Sequence, residues 1–68
     1  MTTLLVTCDH VAFPGSRAFA VAQILDEQGI DYSFLVSPET PFFTLTEVRE
    51  AVATRLGVAP DELLVEEV

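Results

Sequence analysis

Sixty-eight residues carry 11 acidic side chains, three arginines, no lysine and one histidine, for a formal net charge of −8 and half of the residues hydrophobic. A core is therefore available and the composition argues against intrinsic disorder despite the charge, with one domain over residues 1–68 near the lower size limit for folding without a staple. A single cysteine excludes an intrachain disulfide, one Cys with one His cannot complete a four-ligand structural zinc site from one chain, and a negative field disfavours direct binding to nucleic-acid backbones or anionic membranes.

Residues 3–8 alternate as a strand, with Leu4, Val6 and Cys8 on one face and Thr3, Leu5 and Thr7 on the other. A loop over 9–15 is broken by Pro14-Gly15. Residues 17–28 fit a helix stopped by Gly29, with Ala18, Val21, Ala22 and Leu25 as its apolar stripe, Ile24 flanking it and Phe19 at its edge. Residues 31–36 alternate Tyr32, Phe34 and Val36 against Ser33 and Leu35, the pattern of a second strand. Ser37-Pro38-Glu39-Thr40 predicts a type I turn, after which residues 41–43 can return as a short strand.

The best-written local signal follows. Thr44 and Glu47 have capping-box spacing, Phe43 and Val48 flank the cap as a hydrophobic staple, and Leu45, Val48, Val52 and Leu56 form an apolar stripe ended by Gly57. After a turn at 59–61, residues 63–68 read as a final strand with Glu66 and Glu67 protecting an edge by charge. The order predicts a small two-layer α/β or α+β sandwich, either βαββαβ (ferredoxin-like) or βαβαβ, with two helices on one face of a three- or four-stranded sheet. With no apolar run near the ~20 residues of a membrane span and no leader pattern, a soluble cytoplasmic protein is expected.

The run PGSRAFAVAQILDEQGIDYSFLV, residues 14–36, resembles the first helix and second strand of glutaredoxin-like and glutathione-transferase N-terminal domains. Thr40-Pro41-Phe42 resembles the threonine–proline step before the third strand of those folds. The glutaredoxin Cys-x-x-Cys positions correspond to about Gly15 and Ala18 here. Without those cysteines the resemblance implies a βαβ start and no disulfide exchange.

Cys8, Asp9 and His10 lie where the first strand ends, the place where ligands gather in open α/β sheets. A Cys–His pair can make an activated thiolate; alternatively Cys8, on the apolar alternation, is inert packing. Ser16 and Arg17 at a helix start can hold an anion; alternatively Ser16 caps the helix and Arg17 pairs with an acid. No residue is assigned to catalysis, and neither a metal nor a cofactor is expected.

The acids are the remaining candidates. Glu47 and Glu50 lie on the polar face of the second predicted helix, with no Glu-to-Arg i,i+4 partner, and Asp61, Glu62, Glu66 and Glu67 crowd the last segment. They lead to the expectation of a non-enzymatic binding protein that docks on a basic protein surface, such as a nucleic-acid groove. Phe13, Phe19 and Phe42 would serve as its apolar anchors. Anti-CRISPR and anti-restriction inhibitors are an analogy in size and charge. Two alternatives stand beside it: a thioredoxin-like domain with a ligand or redox role at Cys8, His10, Ser16 and Arg17, and a structural subunit completing a complex through a sheet edge. Self-association as a homodimer is compatible with each.

Overall fold

A computed structural model describes all of residues 1–68. Strand β1 spans Thr2–Asp9, β2 spans Ala20–Asp26, helix α1 spans Leu45–Leu56 and β3 spans Leu63–Glu67, with short 3₁₀ turns at Ser33–Leu35 and Pro60–Glu62. The sheet order is β2-β1-β3, β2 antiparallel and β3 parallel to β1. The result is an α+β domain of ββαβ order, one helix on one face of a three-stranded mixed sheet, rather than either two-helix order read from the sequence.

The first predicted helix is a strand. Residues Val21 and Ile24 are buried at 3% and 0% exposure, three apart as on a helix face. The spacing comes from a bulge. Thr7 faces Gln23 and Cys8 faces Val21, so Ala22 has no partner on β1 and the pleat slips by one residue. An inserted residue turns a period of two into a spacing of three, which imitates helical patterning. The helix-then-strand order that the resemblance implied for residues 14–36 is replaced here by a loop, β2 and a 3₁₀ turn.

The loop before β2 turns at Phe13-Pro14-Gly15-Ser16, where the Ser16 N–H reaches the Phe13 carbonyl at 3.1 Å and Gly15 takes φ +78°. Proline followed by a positive-φ glycine is the sequence of a type II turn.

The second predicted strand, residues 31–36, is a single bridge from Asp31 to Leu25 followed by the 3₁₀ turn. This segment covers the outer edge of β2. The Tyr32 N–H donates to the Ile24 carbonyl at 2.8 Å, and the Ile24 N–H donates to Ser33 Oγ at 2.9 Å. Asp31 accepts the Ser33 N–H at 2.7 Å, and hydrogen bonds from the Ser33 hydroxyl and N–H hold its carboxyl below the ordinary range. The Ser37–Thr40 turn closes as expected, with the Thr40 N–H on the Ser37 carbonyl at 3.1 Å. The short returning strand reduces to one residue: Phe42 exchanges both backbone hydrogen bonds with Phe19, at 2.8 and 3.0 Å.

Helix α1 begins and ends where its sequence says. Thr44 Oγ1 accepts the Glu47 N–H at 3.2 Å, and Gly57 stops the helix in the left-handed region at φ 74°. The Glu47 carboxylate reaches one residue beyond the box, to the Phe43 N–H at 2.9 Å. Phe43 stays 59% exposed, so the staple expected with buried Val48 is not closed. The buried stripe is Val48, Val52 and Ala53, while Leu56 is 39% exposed. These side chains pack with Leu4, Val6, Val21, Ile24, Phe42 and Leu63 in one core. The other sheet face stays open, with Leu5 and Leu64 partly exposed.

Candidate functional site

The chain direction sorts the acids. Phe42 bridges Phe19, next to the Asp9–Ala20 pair, so α1 starts at the end of the sheet where β1 and β3 finish. Glu47, Glu66 and Glu67 therefore gather with Asp9 at that end. Asp61 and Glu62 precede β3 and lie at the other end, where Thr2 faces Leu63 and Leu4 faces Asp26. Five residues of strand separate the two groups by about 15 Å. The acids of the last segment, adjacent in sequence, are thus divided between two ends of the sheet.

All six predicted carboxylates, Glu47, Glu50, Asp61, Glu62, Glu66 and Glu67, are exposed. Three also have local work: Glu47 caps α1, Glu62 accepts the Ala59 N–H at 3.1 Å, and Glu67 bonds His10. No arginine pairs with an acid, and the only ion pair is His10 with Glu67. Arg55 turns to the Ala51 carbonyl instead, at 3.2 Å.

The predicted anchors change. Phe19 and Phe42 are buried, at 5% and 6% exposure, with ring centroids 6.3 Å apart. They are core residues because their backbones pair with each other. Phe13 is half-buried, and the exposed aromatics are Phe34 and Phe43. The helix N-terminus expected at Ser16 and Arg17 does not exist. Ser16 Oγ accepts the Ala18 N–H at 3.0 Å in a loop, and Arg17 is exposed.

At the end of β1 the structure brings together Cys8, His10 and Glu67, whose ligating atoms all lie within 4.8 Å of one another. His10 lies in the turn just past β1, and the turn brings its ring beside Cys8. Parallel pairing of Val6 with Glu67 brings the carboxylate in from β3. The His10 Nε2–H donates to Glu67 Oε2 at 2.5 Å, and the Phe19 ring lies against the imidazole with centroids 5.3 Å apart. Asp9 Oδ1 accepts the Val11 N–H at 3.0 Å, which fixes the turn carrying His10. Glu67 was not read from the sequence as a neighbour of Cys8. The usable signal was the two-residue spacing of Cys8 and His10; the third member needs the strand pairing.

Burial, and secondarily the Glu67 carboxylate, push the Cys8 thiol up from 9.0 to about 11. At pH 8 this lowers the thiolate fraction about 100-fold, while the more basic thiolate is about 10-fold more nucleophilic. Cys8 is expected to react with an aromatic disulfide reagent about 10-fold more slowly in the folded chain than after unfolding in urea. Equal rates would show an open, ordinary thiol. The sign of the linkage is also set. The folded state holds this proton more tightly, so its contribution is whole below pH 9 and is lost as pH rises through about 11.

Fold and site together define a small acidic α+β domain of ββαβ order with a Cys–His–Glu cluster at its strand ends. No family model, curated protein or solved structure matches the chain. No helix is long and apolar enough to cross a membrane.

Proposed function

We propose that this domain is a non-enzymatic binding protein that docks on a basic protein surface, of the kind that ordinarily receives a nucleic-acid backbone. One observation carries the reading: ten of the 11 acids are exposed and Asp26 is half-buried, yet no arginine neutralises any of them. Such a field steers association with a cationic partner and repels phosphates. Glu47, Glu66 and Glu67 at one end, with Glu50 farther along α1, form the leading contact, with Asp61 and Glu62 a second one. Phe43, exposed beside the Glu47 cap, takes the anchoring role that buried Phe19 and Phe42 cannot.

The test is capture on the immobilised chain across a salt series, with duplex DNA as competitor. Between about 0.05 and about 0.5 M NaCl the Debye length falls from about 14 to about 4 Å. Partner capture is expected to drop at least about 10-fold over that range. It should also be displaced by duplex DNA and be weakened in the triple variant Glu47→Gln, Glu50→Gln, Glu66→Gln. Capture that persists at high salt and ignores DNA would overturn the charge-based reading.

A further inference from the structure

The geometry points to a transition-metal site at the strand ends, in which Cys8 Sγ, one ring nitrogen of His10 and one carboxylate oxygen of Glu67 bind a zinc-class divalent cation and leave a fourth position open. Three donors of three chemical types converge from two strands and the turn after β1, all within 4.8 Å of one another. Zinc bonds of about 2.0 Å to nitrogen or oxygen and about 2.3 Å to sulfur set tetrahedral edges of about 3.3–3.6 Å. The His10–Glu67 contact at 2.5 Å has to open by about 0.8 Å to admit an ion, and the separations to Cys8 already lie within 4.8 Å.

Thiolate with imidazole and carboxylate suits Zn²⁺ over Mg²⁺ or Ca²⁺, which take all-oxygen shells. The surroundings are built for it. Cys8 and Glu67 sit on paired strands, Phe19 restrains the His10 ring, and Asp9 fixes the turn behind it. Binding releases the thiol proton to solvent; the neutral His10 ring ligates through one nitrogen and keeps its proton on the other, and an imidazolium gives one proton up to solvent. The cation then takes the place of the His10–Glu67 hydrogen bond. The open position faces outward, because the His10 and Glu67 side chains are 56% and 40% exposed. It can hold water or a donor from a bound molecule. The site shares Glu67 with the docking reading and does not rest on it: it needs coordination geometry, whereas docking needs only the field.

The experiment is a Co²⁺ titration of the metal-free full chain, followed by displacement with Zn²⁺, in about 0.5 M NaCl, where diffuse attraction to carboxylates is screened. One Co²⁺ per chain is expected, with a near-ultraviolet thiolate-to-cobalt absorption. Cys8→Ser should remove that absorption and weaken Zn²⁺ binding by about 10–100-fold or more, and His10→Gln and Glu67→Gln should each weaken it at least about 10-fold. Glu66→Gln, on the opposite sheet face, should leave it unchanged. The proposal is overturned by Co²⁺ uptake without a thiolate absorption, by equal effects of Glu66→Gln and Glu67→Gln, or by no uptake at this salt. Far-UV circular dichroism checks folding. If Cys8→Ser does not fold, the two exposed ligands His10 and Glu67 carry the test.

Discussion

Ile24→Ala is expected to destabilise the domain by about 2–5 kcal/mol, the range for a fully buried branched side chain cut to a methyl. Ile24 has no exposed surface and stands opposite Val6, which has none either. A 68-residue domain has about 3–10 kcal/mol in total, so the variant should be largely unfolded at 37 °C if the wild type lies at the lower end. Leu25→Ala is the matched control. Leu25 faces Leu5 on the open side of the sheet and is only half-buried, so it should cost less than about 1.5 kcal/mol. Urea midpoints for the two variants decide the matter. A larger loss at Leu25 than at Ile24 would mean that residues 20–26 do not point as β2 points.

Phe42→Ala should cost about 3–5 kcal/mol, while Phe43→Ala, one residue on, should stay within about 0.5 kcal/mol. Phe42 is 6% exposed and packed against Phe19, whereas Phe43 is 59% exposed at the helix entrance. Binding assays should show the converse. Phe43→Ala is expected to weaken capture of a basic partner without shifting the thermal midpoint. A stability loss at Phe43 as large as that at Phe42 would make both of them core residues and leave the proposed docking surface without an aromatic at its acidic end.

Neighbouring phenylalanines with opposite roles show where sequence reading stops. Both lie in the same Pro-Phe-Phe-Thr stretch, and the local staple pattern turns Phe43 inward where the structure buries Phe42. The bridge to Phe19, 23 residues earlier, turns one inward and leaves the other out. Residues 20–26 teach the same lesson from the other side. The bulge at Ala22 places Val21 and Ile24 three apart, so the hydrophobic spacing itself reads as a helix. Only the partner strand reveals that a residue has been inserted.

What the sequence alone determined is local or global, with little between. The caps of α1 at Thr44 and Gly57 are set by residues three or four apart along the chain, so they are legible without a fold. The alternation of β1 and the apolar start of β3 are legible for the same reason. Net charge needs no structure at all. The tertiary structure decided the identity of β2, the division of the acids between two ends, and the meeting of His10 with Glu67 across 57 positions. The first follows from the bulged antiparallel pairing of β2 with β1 and the other two from β3 lying parallel to β1, pairings whose stabilising contacts are between strands and leave no periodic mark on any one of them.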